Sequence, residues 1–458
     1  MTFRSSIAIL FFYLISVSVC GQNSKEHNFT RDELRADVDY LQLKLESNHP
    51  NLYLYTAKPS IDLLFDSLKR SIQGPMSELE FYKHITIISS VIKDGHTIIL
   101  PAKSTMDQHN KISKFFPYKL IILGGKLYVD MVCTTDSTIL PAAEILKINN
   151  LASAEIIEQL MKRQVRDGNN LSYPTWILSN FFRGYYSFIF GHPEEFKIEY
   201  MQHETIRTSI IRGLPNDSIA YYRKLRYPNR TNEKRPGEGI SIKFSAENKY
   251  AILTIKDFHD DILRKEYRQN FKEVISEYFQ ELNNKAVSNL ILDIRDNQGG
   301  DIPNGVKLLS YLIDKPFTIL QSYYEVDGSG NSYTLKKTTG QSLGIHKPAE
   351  NVFKGKLFIL INGGSFSNSG IVAACLKRNG RGVFIGEETG GSNKILAGYS
   401  KDYKLPNTGI QLEIPARQFL LDDVIQLTGH GTMPDYPVQP TLTINDVVLK
   451  VAVDMILK

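Results

Sequence analysis

Three cysteines in 458 residues are too few for a disulfide framework. Cys133 and Cys375, the two beyond the first 21 residues, have no metal-ligand neighbours at usable spacing. The chain also lacks a His-Glu-x-x-His helix and a phosphate-binding glycine loop, so no metal and no nucleotide cofactor is expected. Charge of one sign is scarce: 54 basic against 49 acidic residues leave a formal net charge of +5. The basic residues are scattered, and the run Arg223 to Arg235 has the composition of a solvated connection rather than a phosphate-binding patch. No nucleic-acid partner is expected. Low-complexity tracts are missing too, and 42% hydrophobic with 22% charged residues is the composition of a folded chain.

Only the first residues form a long apolar run. Arg4 supplies a positive charge, Ile7 to Val19 is apolar or small, and Cys20-Gly21-Gln22 follows. This reads as a secretory signal over residues 1–21, too short for a resident membrane helix. An exported protein, periplasmic or extracellular and without an integral membrane domain, is expected; in a lipoprotein alternative Cys20 would carry a lipid anchor.

A chain this long calls for two or three domains. Residues 22–105 read as a helical domain. Thr30 and Glu33 have capping-box spacing, Leu34, Val38, Leu41 and Leu45 recur at helical period, and further helices are expected over Ile61 to Ile72 and Glu78 to Ile92. Residues 106–238 read as β-rich. Tyr118 to Leu123 and Leu127 to Val132 make a hairpin, and the strand Ala142 to Asn150 precedes a helix Ala152 to Met161. That strand–turn–helix resembles the groove of a PDZ-like module and reads equally as a plain β/α connection. Thr231 to Gly239 has linker composition. Residues 239–458 alternate strands (Tyr250 to Ile255, Ser288 to Ile294, Lys356 to Ile361, Val383 to Gly386) with helices (Lys265 to Leu282, Gly305 to Ile313, Ser369 to Arg378). This is the grammar of a mainly parallel α/β sheet whose loops at the strands' carboxyl ends carry function.

Three stretches could do chemistry. Gly363-Gly364-Ser365-Phe366-Ser367-Asn368-Ser369 joins a buried strand to an apolar helix. Its serines could cap that helix, or one could be a nucleophile beside unpaired amides. Asp293-Ile294-Arg295-Asp296-Asn297-Gln298-Gly299-Gly300 ends another buried strand, where glycines can turn N–H groups outward. Asp94-Gly95-His96-Thr97 offers a histidine able to act as a general base, or a plain surface histidine.

Together these stretches resemble the C-terminal processing (tail-specific) peptidases. Leu292 to Gly300 is similar to their Asp-x-Arg-x-Asn-x-Gly-Gly turn, and Ser365-Phe366-Ser367-Asn368-Ser369 to their spaced-serine turn. Gly386-Glu387-Glu388-Thr389-Gly390-Gly391 and Gly431-Thr432-Met433-Pro434-Asp435 resemble their two later motifs. The helical front and His96 resemble the tricorn-like branch. The resemblance implies a crotonase/ClpP-like catalytic core and a peptide or unfolded protein as substrate. It further implies Ser367 as nucleophile, His96 as base, and an oxyanion hole from Asn368 with Gly299 or Gly300. In the tail-specific branch the base is a lysine whose position falls on Ser392, with Lys394 two residues late; Lys394 is thus the alternative base. The glutamate of the tricorn-like pattern falls on Thr428, so no acid is assigned to orient His96. A non-catalytic peptide- or lipid-binding protein on the same fold is the alternative from another class.

Overall fold

The computed structural model describes residues 27–230, 233–326, 333–334, 342–422, 428–442 and 445–458. Residues 1–21, read above as a secretory signal, lie outside them, and Cys20 with them.

The chain opens with the helix Arg31–Asn48, where Thr30 and Glu33 do form a capping box. Lys58–Ser71 follows. The single helix expected over Glu78 to Ile92 is two, Glu78–Ile85 and Ile88–Ile92. The second stops at Lys93 in the left-handed region (φ 59°), which turns the chain into Asp94–Thr97. One apolar cluster takes in Leu34 and Phe65 from this helical front, Leu127 and Ile198 from the segment after it, and Leu412 from near the end of the chain.

The central sheet runs Tyr118–Leu123, Lys126–Val132, Glu144–Ile148, Glu195–Gln202, Thr205–Arg212, each strand antiparallel to the next. Strands do not dominate this region as fully as expected, because Ser172–Phe190 and Asn216–Arg226 are helices. The first is rich in aromatic residues that locally favour strands. It is helical because Ile177, Leu178, Phe182 and Tyr186 are buried by neighbouring elements; tertiary packing overrides local preference.

The C-terminal sheet runs Ile240–Phe244, Ala251–Ile255, Asn289–Asp293, Lys356–Ile361, Val383–Gly386, Tyr436–Pro437, antiparallel at the first pair and parallel thereafter. Successive side chains of a strand face opposite ways. Leu290, Leu292, Leu357 and Ile359 accordingly pack with residues of the helices Phe271–Asn284, Ile302–Leu312 and Asn368–Arg378. Ile291, Phe358 and Leu360 pack with Val448 and Ala452 of the helix Val447–Leu457. Burial on both faces explains the continuous apolar strands seen in the sequence.

Two differences matter for the site. The helix expected from Lys265 begins at Phe271, because Arg268 turns left-handed (φ 54°) and Asn270 caps the new start. A long hairpin, Ile395–Lys404 with Gln411–Leu420, was not legible. Pro415, which can donate no ladder hydrogen bond, breaks its pattern. The outer edge of Gln411–Leu420 pairs with Ile98–Leu100, anchoring the residues just after His96.

Candidate active site

The strand Lys356–Ile361 runs into Asn362-Gly363-Gly364, and Ser365 to Ser367 then open the helix Asn368–Arg378. Both glycines are required by close approach. A Cβ on Gly363 would meet the Ser172 carbonyl oxygen at 2.2 Å, and one on Gly364 the Trp176 indole nitrogen at 2.4 Å.

The three serines of this turn have different surroundings. Ser365 is fully buried and donates through Oγ to the Ile294 carbonyl at 2.8 Å. Ser369 is likewise buried, within the helix. Ser367 lines a cleft with His96, His259, Gly300, Ile302 and Tyr399. It occupies the helix N-cap yet makes no capping hydrogen bond, and its backbone is held at φ 52°, ψ −122°. Such a conformation costs a non-glycine residue about 1–3 kcal/mol and persists only when its surroundings enforce it. Here they do: a Cβ on Gly299 would lie 2.7 Å from both Ser367 Cβ and the Asn368 nitrogen.

His96 reaches this serine from 271 residues away, with Nε2 3.2 Å from Ser367 Oγ. The imidazole is 4% exposed and stacks on Phe366 at 4.6 Å between ring centroids. Phe366 stacks in turn on Tyr173 at 3.9 Å. Burial lowers the imidazole to about 4, against the opposing charge of Asp94. Asp94 Oδ1 accepts from the His96 backbone N–H at 2.9 Å and from Thr97 Oγ1. It therefore shapes the loop without gripping the ring, and Nδ1 is buried with no hydrogen-bond partner among the described residues.

Asp167, from the loop before the helix Ser172–Phe190, joins this loop to the C-terminal region. Its carboxylate accepts from Gly95 N at 2.7 Å and from Ser392 N at 2.9 Å. Burial, with the charge of Asp94 behind it, raises Asp167 to about 7. A Cβ on Gly95 would lie 2.9 Å from the Phe366 ring and 3.0 Å from Asp167 Oδ1. Gly95→Ala must therefore push the His96 loop off its seat. Since an ångström of misplacement can cost on the order of 100-fold in rate, a kcat loss of that size is expected in steady-state assays, with folding preserved by circular dichroism.

The glycine turn lies beside Ser367, but its two glycines differ. Gly299 N–H is spent on Asn297 Oδ1 at 2.8 Å. The amides of Gly300 and Asn368 have no acceptor among the described residues. Arg295 of the same turn pairs with Asp293 and Asp446, at 2.6 and 2.7 Å, and is structural.

Lys394 is not brought to the serine. Its ammonium pairs with Asp422 and is 38% exposed. Ser392 contributes its amide to Asp167. His430 sits on Glu388 through Nδ1 at 3.0 Å, and Thr428 accepts from Asn169 N through its carbonyl.

Sequence reasoning missed Asp167 and the Asp257–His259 pair. Asp167 gave no signal, since Asp-Gly reads as an ordinary turn. His259, buried and in the cleft with Ser367, was findable. It follows the strand Ala251–Ile255 at its carboxyl end, where parallel sheets place functional groups. Asp257 Oδ1 meets His259 Nδ1 at 2.8 Å. Burial opposes protonation of His259, but the hydrogen bond and charge of Asp257 outweigh it and raise the ring above its ordinary value.

Residues 249–438 match the model of peptidase family S41, a span that contains all four motifs. A carboxyl-terminal-processing peptidase 2, chloroplastic, of Arabidopsis thaliana is 28% identical over 180 residues, 37% of this chain and 30% of the relative. The C-terminal processing peptidase, chloroplastic, of Tetradesmus obliquus is 30% identical over 129 residues, 28% of this chain and 25% of the relative. The chain thus spans about a third or less of these relatives. Its fold is similar to that of the crystal structure of mature CPAF, with a TM-score of 0.64 at 14% identity over 93% of this chain and 96% of that one. The resemblance to C-terminal processing peptidases read from the motifs therefore holds over the S41 region, on a mixed α/β fold.

Proposed function

We propose that this chain is a serine peptidase of the C-terminal processing type, with Ser367 as nucleophile and His96 as general base, following the tricorn-like rather than the lysine-dependent branch. The observation that carries the reading is the 3.2 Å approach of His96 Nε2 to Ser367 Oγ, at a serine whose strained backbone serves no capping role. Ser367 Oγ attacks a peptide carbonyl while His96 takes its proton and returns it to the leaving amine. The amides of Gly300 and Asn368, left without acceptors, supply the oxyanion donors, and Gly299 shapes the turn. The same reading includes a crotonase/ClpP-like core over 239–458, a PDZ-like module within 106–238 and export through residues 1–21. Among the described residues no helix is long and apolar enough to cross a membrane. Treatment with a serine-directed fluorophosphonate is the direct test. Labelling confined to Ser367 supports the reading, and an unlabelled protein overturns it.

A neutral base matters for pH. Because burial lowers His96 to about 4, the ring is unprotonated well below the ordinary histidine range near 6.5. Turnover at pH 5.5 should stay within about twofold of that at pH 7.5; a half-loss near pH 6.5 would contradict it. Folding obeys the same sign. The unfolded chain takes up this proton near 6.5 and the folded chain only near 4, so the contribution is intact above 6.5 and is lost as pH falls toward 4.

The non-catalytic alternative rests on the partnerless Nδ1 of His96, since an unoriented base is a weak one. On the catalytic reading the cleft selects the substrate. Its volume is about 40 Å³, and Ile302, Ile371, Leu396 and Phe419 line it. Peptides with a short apolar residue at the cleaved bond should outperform charged or large aromatic ones by at least about tenfold in kcat/KM. A fluorogenic peptide panel without such a preference would remove the cleft from the specificity argument.

A further inference from the structure

Away from the cleft, a cavity of about 140 Å³ opens between the central sheet and the helices Ser172–Phe190 and Asn216–Arg226. Its walls combine aromatic rings, Phe115, Tyr118, Phe181 and Phe188 among them, with the polar side chains of His109, Asn180 and Asn216. Arg183 and Arg223 line it together with Cys133.

The charge balance there is unusual. Lys119, also at the cavity, is paired with Asp130 at 2.9 Å, and Arg223 donates to the Arg230 carbonyl. Arg183 has no hydrogen-bond or ion-pair partner among the described residues. Burial pushes it down to about 10; Cys133 opposes that shift and the neighbouring charge of Arg223 adds to it. It stays cationic at neutral pH. Cys133 cannot balance it, because burial raises the thiol above its ordinary value despite both arginines. Arg183 is partly buried, and a cation partly withdrawn from water gains from a counter-charge placed beside it. Arg295, by contrast, has two carboxylates.

We infer that this cavity is a binding site for a small carboxylate carried on an apolar body of about the size of one aromatic ring, with Arg183 as its counter-ion. A cavity of about 150 Å³ has room for a benzene ring, which matches the space beside the aromatic walls. A guanidinium takes a carboxylate in two parallel hydrogen bonds, which matches the head group. Phe181, in the cavity wall, lies where the helix Ser172–Phe190 departs from helical geometry, at φ −124° and ψ 19°. This site is independent of the peptidase reading, and its test does not use turnover.

Phenylacetate is the probe and phenylacetamide its neutral isostere. Isothermal titration of the full chain should show saturable binding of phenylacetate, at least about tenfold tighter than phenylacetamide. Arg183→Met, which keeps the volume and removes the charge, should erase that preference. Inorganic phosphate should bind more weakly than phenylacetate, since it leaves the aromatic walls uncovered. Equal affinity for acid and amide, or no binding of either, would overturn the inference and leave a hydrated cavity; tighter binding of phosphate would replace it with a simple anion site. The comparison of acid with amide uses the unaltered protein, so a folding defect in Arg183→Met leaves the test intact.

Discussion

Ser367→Ala should reduce kcat by at least about 10⁴-fold against a cleaved peptide, since loss of the nucleophile in a serine peptidase leaves only binding and oxyanion stabilisation. The thermal transition should hardly move, because among the described residues Ser367 Oγ makes a hydrogen bond to His96 alone and caps nothing. Ser367→Gly adds a second measurement. At φ 52°, ψ −122° alanine retains the strain of serine, while glycine does not. The glycine variant should be equally inactive yet more stable than the alanine variant by about 1 kcal/mol, read from denaturant midpoints. Retained turnover in both would dismiss Ser367 as nucleophile. Inactivity with no stability difference would keep the chemistry and discard the strain.

The larger separation is expected between two candidate bases. His96→Ala should cost about 10³- to 10⁴-fold in kcat, and Lys394→Ala no more than about threefold. The lysine is half-solvated and paired with Asp422, and exposed pairs contribute little. The opposite ranking in parallel kinetics would return the mechanism to a serine–lysine dyad. Comparing Asp167→Asn with these variants refines the picture. An amide can still accept from one backbone N–H, so half of the clamp on Gly95 and Ser392 survives. kcat should fall by about tenfold at unchanged KM.

The sequence was most legible where burial is complete and periodic. The strands Asn289–Asp293 and Lys356–Ile361 announced themselves as continuous apolar runs because helices cover both their faces. The serine turn and the glycine turn were legible as motifs, though neither alone told a cap from a nucleophile. Several features were hidden for identifiable reasons. The helix Ser172–Phe190 carries strand-favouring aromatics and is fixed by packing. Pro415 disguises the strand Gln411–Leu420. Asp167 becomes interesting only once the fold lays Gly95 and Ser392 on either side of it. The difference between Gly299 and Gly300 depends on one Asn297 side chain, which no pattern of glycines reveals.

The pairing of Ile98–Leu100 with Gln411–Leu420 has a consequence for the order in which the molecule can come into being. A ribosome delivers His96 early, but the strand edge that seats its loop is among the last pieces to emerge. Ser367 is itself delivered 271 residues after His96. An unfinished chain therefore holds a histidine with nowhere to lie, then a serine turn with no base beside it. The pair on which the proposed mechanism rests can therefore be completed only late in synthesis, a delay written into the connectivity itself.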